Sequence, residues 1–284
     1  MNIGIDSYCF HRYFGDVYPG LQTDPGIRWN MFEFLDFAAA MKVESVSLES
    51  CFIPSLDRAF LSEIRGKLDE LGLERVLAWG HPDGLEGGRN GEQFENMLAH
   101  IESAKIVGAS VMRIVACSMA FRHLPHGPQL EALSNMLSHA AKVGREYGVC
   151  LAIENHADFT SDELLQILLA VDSPDLGINF DSGNALRVFE DPVEAAEKLA
   201  PWTKATHMKD IAVGKGSPQS FAFWPSAMAG QGIVDLPGVV RQLRRGGYDG
   251  TLMLELDLMA QPWATLREED IVRESVAYLR TLLA

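Results

Sequence analysis

Short runs rich in β-branched residues alternate with longer amphipathic segments from one end of this chain to the other, and no other feature restricts its fold as much. Eight runs read as strands, at 3–8, 45–49, 73–79, 111–117, 149–154, 176–181, 204–209 and 251–255. Helical periodicity covers 29–41, 56–71, 93–107, 129–147, 161–170, 192–199, 236–245 and 269–283. Several helices run into glycine just before the next strand, at Gly72, Gly108, Gly148 and Gly246-Gly247, where a residue able to take φ > 0 turns the chain. A strand–helix unit repeated eight times, without a Pro/Ser-rich linker or a break in composition, predicts one closed α/β barrel, a single-domain (β/α)8 TIM barrel over 1–284. A doubly wound open sheet is the competing fold. It ordinarily carries a Gly-rich phosphate turn after an early strand, and none follows 3–8.

Charge narrows the partners. The chain has 24 Lys and Arg against 39 Asp and Glu, a net charge of −15. Phosphate backbones and anionic membranes bind clustered cations, and the only dense cluster, Arg241, Arg244 and Arg245, reads as a solvated helix face. Neither nucleic acid nor membrane is therefore expected as a partner, whereas a neutral small-molecule carbohydrate is not repelled. No apolar run approaches the roughly 18 residues of a membrane helix, and Met1–Asp6 shows no secretory signal. The scattered Cys9, Cys51, Cys117 and Cys150, with no CxxC pair, fit reduced thiols. A cytoplasmic location is the expectation.

Functional side chains of such a barrel sit at the C-terminal ends of its strands. The fifth strand candidate ends in Glu154, the sixth in Asp181 and the eighth in Glu255, and the seventh carries His207. Three carboxylates converging in a partly buried site repel one another unless a cation neutralises them. Three oxygens and one nitrogen, with room for water, suit one divalent ion of the harder kind, Mn²⁺ first, with Co²⁺ or Mg²⁺ as alternatives. The bland alternative is a set of separate ion pairs, with Arg113 balancing Glu154 and Asp181.

Glu, Asp, His and Glu in that order on strands five to eight, together with the segments 152–156, 180–184, 207–210 and 230–235, resemble the xylose isomerase-like barrel superfamily. The resemblance spans the chain and is closest to the sugar (phosphate) isomerase/epimerase branch, including ketose 3-epimerases. It implies that Glu154, Asp181, His207 and Glu255 bind Mn²⁺ or Co²⁺, and that Glu154 and Glu255 move protons on opposite faces of a sugar. One position departs from the pattern. Many of those epimerases place a substrate-binding histidine three residues after the strand-six aspartate, and this chain has Asn184 there.

The chemistry also follows without the family. A metal across adjacent carbonyl and hydroxyl oxygens of a keto-sugar stabilises an enediolate. One carboxylate then removes the α-proton, and a carboxylic acid on the other face returns one. Around that centre, His81, His156, Asn184, Lys209, Glu49 and Arg113 are candidate substrate contacts, each also readable as a capping, loop or charge-balancing residue. His123 and His126, beside Pro125, read as surface loop residues. The stretches 213–234 and 10–28 are long enough to be lids, and Phe221–Trp224 is a candidate apolar patch for a homo-oligomer. The reading that results is a metal-dependent sugar isomerase or epimerase. A lyase acting on a 3-keto-glycoside, or a dehydratase, is its runner-up on the same site. A three-zinc endonuclease of the same superfamily is remote, for want of histidines at strand ends.

Overall fold

The computed structural model describes residues 1–283. Seven parallel strands, β1 (Asn2–Asp6), β2 (Ser45–Glu49), β3 (Glu74–Ala78), β4 (Val111–Ile114), β5 (Cys150–Glu154), β6 (Leu176–Asp181) and β7 (Thr203–His207), follow one another around the sheet. A short antiparallel hairpin, β8 (Asp210–Ile211) and β9 (Ser226–Ala227), stands apart from them. The eighth parallel strand, β10 (Thr251–Leu254), pairs with β1. Helices lie between the strands, so the chain forms a single-domain (β/α)8 TIM barrel, as the sequence predicts.

The seam between β7 and β10 closes by other means than a regular ladder. A single parallel bridge joins Met208 to Leu254. Below it the Thr206 hydroxyl donates to the Thr251 carbonyl (2.7 Å) and accepts from the Met253 amide (3.2 Å). One side chain thus satisfies backbone groups that a ladder would otherwise pair.

Alternation along each strand divides the barrel into an outside and an inside. Ile3, Ile5, Val46, Leu48, Met112, Ile114, Ile153, Phe180 and Leu254 are fully buried in the hydrophobic core shared with the helices. Such side chains contribute roughly 1.5–3 kcal/mol each on burial. The alternate positions are polar at the C-terminal ends, where Asp6, Glu49, Arg113, Glu154, Asp181, His207 and Glu255 are all buried. Lower in the barrel the same rows carry Gly4, Ser47, Ala152 and Ala205 in place of the bulky branched residues common there. A cavity of about 510 Å³ opens at that N-terminal end. Among the described residues, Asp69 and Glu74 are the carboxylates that line it.

Element ends differ from expectation where a side chain or loop intervenes. The first strand stops at Asp6, because the Asp6 carboxylate accepts from the Tyr8 amide (2.6 Å) and starts a 3₁₀ turn over Ser7–Phe10. The fourth stops at Ile114, since the next carbonyls, Val115 and Ala116, accept from loop amides of Leu85 and Gly87. Helix 129–147 begins three residues early, at His126.

That shift takes His126 off the surface loop where it was expected. Its Nδ1 lies 2.5 Å from Glu163 and its Nε2 3.1 Å from the Arg122 carbonyl. Burial disfavours the charged ring, but Glu163 and that carbonyl outweigh it and raise the His126 pKa. Glu163, despite its own burial, is held low by the Thr160 amide and His126. The histidine contribution is complete below its ordinary pKa and fades as pH rises through the raised value. The carboxylate contribution is present above its ordinary pKa and fades as pH falls through the lowered one. Both are therefore present between about pH 4.5 and 6.5. His126→Gln is expected to lower Tm most near pH 5.5 and least near pH 9. Equal losses at both pH values in thermal melts would show that the ion pair contributes nothing.

Candidate active site

Glu154 at the end of β5, Asp181 at the end of β6, His207 at the end of β7 and Glu255 just past β10 converge at the barrel mouth. One donor atom from each lies within 4.8 Å of all the others, and all four residues are buried. His207 Nδ1 is 3.4 Å from Glu255, 3.6 Å from Glu154 and 4.0 Å from Asp181, while its Nε2 faces Asp6 at 3.5 Å. Asp6 thereby fixes which ring nitrogen points at the carboxylates, the usual role of a carboxylate behind a ligand histidine. Asp181 Oδ1 accepts from the amides of Gly183 (2.7 Å) and Asn184 (2.9 Å), which aims its other oxygen inward.

The donor set fits a divalent cation. His207 Nδ1, Asp181 Oδ2 and Glu255 Oε2 are buried with no hydrogen-bond partner, a costly state that a ligated ion would relieve. Burial favours a neutral His207 ring, yet Glu255 and Glu154 outweigh it and hold a proton there far above the ordinary histidine pKa. A bound cation would take the place of that proton. Charge counting agrees. With the Glu49 carboxyl protonated, the connected buried network holds the carboxylates of Asp6, Glu154, Asp181, Glu255 and Asp257 against Arg113, Arg187, Lys209 and the proton on His207, so that losing this proton with no cation in its place leaves the carboxylates in excess by two. A deficit of positive charge this size is expensive in a low-dielectric interior.

The remaining predicted residues gather around this group at different depths. Arg113 pairs with Glu49 and approaches Glu154 at 3.3 Å. Burial pushes the Glu49 carboxyl up to about 8 against the pull of Arg113. The Lys209 ammonium lies 2.5 Å from Glu255, 3.2 Å from Asp181 and 3.3 Å from Asp257; toward the first two it lacks hydrogen-bond alignment, so their inward oxygens stay available. His156 and His81 line the cavity above, the former with an unpartnered Nδ1 and the latter accepting from the Asp83 amide. Asn184 sits behind Glu154, donating to it at 3.0 Å, and is not on the cavity wall.

A cavity of about 650 Å³ rises from the carboxylates to solvent. The family model described as xylose isomerase-like TIM barrel matches residues 35–282. The chain belongs to the xylose isomerase-like TIM-barrel family. Within this family it is 23% identical over 291 residues to the 3-oxo-isoapionate decarboxylase of Pectobacterium atrosepticum, covering 99% of this chain and 96% of the relative. An inosose dehydratase of Bacillus thuringiensis is 25% identical over 213 residues, 64% of this chain and 70% of that one. Among solved structures, the IolI protein with a bound zinc atom has a TM-score of 0.77 at 14% identity (100% of this chain, 98% of that one). L-ribulose 3-epimerase has 0.72 at 14% (99% and 94%). At these identities the structural likenesses speak for the fold.

Besides Asp6 behind His207, two charged residues of this xylose isomerase-like barrel escaped the sequence reading. Arg187, buried at the end of α6 (Asn184–Arg187), donates to Asn184 (2.7 Å), Asp257 (3.0 Å) and the Trp224 carbonyl (3.0 Å). Asp257 in turn accepts from Ser226 (2.5 Å) and Lys209 (3.3 Å). Spacing held the signal: Asp257 is two residues past Glu255, and Arg187 is one helical turn past Asn184. The loop 213–234 is not structureless, for it supplies β9. Trp224 is buried there with its indole N–H on the Pro218 carbonyl (2.8 Å), and Phe221 lines the cavity, so these rings are not an exposed patch.

Proposed function

We propose that this protein is a divalent-metal-dependent isomerase or epimerase of a keto-sugar or keto-glycoside, with Glu154 and Glu255 moving the proton next to the carbonyl. The observation that carries this reading is the placement of two carboxylates on the cavity floor, Glu154 at the end of β5 and Glu255 just past β10, with Asp181 and His207 on the two strands between them. A substrate seated there meets an acid/base group from each side. Glu154, Asp181, His207 and Glu255 would hold the cation, Mn²⁺ by the hardness of the set, and it would supply positive charge that stabilises an enediolate. The Arg113 guanidinium at 3.3 Å and the Asn184 side-chain amide at 3.0 Å favour the ionised Glu154 carboxylate, the form a base needs. Lys209 offers a donor beside Glu255. His156 and His81 reach sugar hydroxyls from the wall, and Arg113 with Glu49 borders the floor. Asn184 orients Glu154 from behind, a task unlike the substrate contact its position suggests.

A second reading shares the proton abstraction and ends in elimination, with Lys209 protonating what leaves. Its position 2.5 Å from Glu255 favours this, as do relatives named for decarboxylation and dehydration. Incubating the Mn²⁺-loaded protein with a panel of keto-sugars and 3-keto-glycosides in deuterated water separates the two. Deuterium at the α-carbon with a new epimer is the expected result. Deuterium with a released aglycone or water would move the protein to the lyase reading. No exchange into any member of the panel, with metal bound, would overturn both.

A further inference from the structure

The cavity has two unlike halves, and the proton chemistry uses only the lower one. Above the carboxylates the wall is built by Tyr8, Phe14, Tyr18, Phe52 and Phe221, all half-buried. They come from the segment after β1, the 3₁₀ turn Ser50–Phe52 after β2, and the turn Phe221–Phe223. Phe14 and Phe52 stack at 4.5 Å with their planes 2° apart, and Tyr8 continues the column at 5.9 Å and 14°. Tyr18 packs on Phe221 at 5.2 Å. The hydroxyls of Tyr8 and Tyr18 bond each other at 2.8 Å, so the polar tips of both tyrosines are occupied and the wall offers hydrocarbon.

Such a wall is a poor match for a bare polyol. Five partly exposed rings around one mouth leave more apolar surface in water than the C–H face of a single sugar can cover. The space is also too large. A volume of about 650 Å³ holds on the order of twenty waters, and one hexose displaces only about a third of them. Ring edges such as these accept another ring in edge-to-face contact.

Resting on the epimerase reading of the floor, we infer that the aromatic wall is a subsite for a planar, apolar aglycone, and that the substrate is an aryl keto-glycoside. The sugar lies on the carboxylates, and the aglycone lies between the Phe14–Phe52 column and Phe221.

Calorimetric titration of the Mn²⁺-loaded protein with four probes tests this: phenyl and methyl 3-keto-glucoside, and the matching phenyl and methyl glucosides, which cannot enolise. Phenyl members are expected to bind wild type about ten-fold more tightly than methyl members, the size of one aromatic contact with its burial. Phe52→Ala should shrink that preference to about two-fold and leave the methyl members unchanged. Phe14→Leu, which keeps the bulk and removes the ring, should lose part of it and guards against a Phe52→Ala chain that does not fold. Equal affinity of phenyl and methyl members for wild type, or a loss shared by both in the variants, would overturn the subsite. If both keto-glycosides still exchange deuterium then, the floor chemistry stands without it. A phenyl preference with no exchange into either keto-glycoside would instead leave the subsite and remove the epimerase reading.

Discussion

Glu255→Gln is expected to separate two events that the wild-type protein performs together. For the epimer whose α-proton faces Glu154, deuterium from solvent should still enter the substrate, while formation of the other epimer falls by about 10²- to 10⁴-fold, the usual contribution of a positioned acid or base. Glu154→Gln should remove exchange and epimerisation of that same substrate by a similar factor. The asymmetry follows from the surroundings. Glu154 has the Arg113 guanidinium at 3.3 Å and is braced by Asn184 at 3.0 Å, both of which favour its ionised form, so it begins as the acceptor. Glu255 stands beside the Lys209 ammonium at 2.5 Å, where the returning proton is resupplied. Glutamine removes one ligand charge in either place, so both variants are compared with wild type at saturating Mn²⁺, with metal content measured alongside. Equal loss of exchange and epimer in Glu255→Gln would assign both faces to a single group, and near-wild-type turnover in both variants would remove the pair from the mechanism.

The centre of this site was legible because a barrel strand is a strict ruler. Alternation places Glu154, Asp181, His207 and Glu255 on the inside, and the three carboxylates each end a largely apolar strand, so the residues line up at one level of the barrel. Asp6 was harder to see. It ends a strand expected to continue to Tyr8, and only the turn that its own carboxylate caps shows that it stops there and backs His207. Arg187 ends a helix of a single turn and Asp257 lies past the last strand, so the spacing that links each to a site residue is too short to stand out as periodicity. Their link to the centre depends on Trp224, Ser226 and Lys209 arriving from the long loop and the hairpin. The aromatic wall was least legible of all, since its rings are brought together by three loops whose courses follow tertiary contacts that local sequence does not specify.

A thermal melt of Asp181→Asn should show no response to divalent cations, whereas wild type stripped of metal should gain stability with Mn²⁺. At a free concentration a hundred times Kd that gain is about 2.7 kcal/mol, several degrees in Tm for a chain of this length. Asparagine keeps the Oδ1 that accepts from the Gly183 and Asn184 amides, so the cap at the start of α6 survives and the loss is confined to the charge. Metal-free, the variant is expected to be at least as stable as wild type above neutral pH. Burial lifts the Asp181 carboxyl to about 6 although Lys209 pulls it down. A raised carboxyl stabilises the fold while protonated, from its ordinary value near 3.9 downward in full, and loses that contribution as pH rises through 6. Wild type without metal therefore weakens between about pH 4 and 7 relative to the variant, and adding the cation reverses the order. A Mn²⁺-dependent rise in Asp181→Asn equal to that of wild type would place the ion elsewhere. No rise in wild type with Mn²⁺, Co²⁺, Mg²⁺ or Zn²⁺ would leave three unpartnered buried donors without an explanation and the proposed chemistry without its cation.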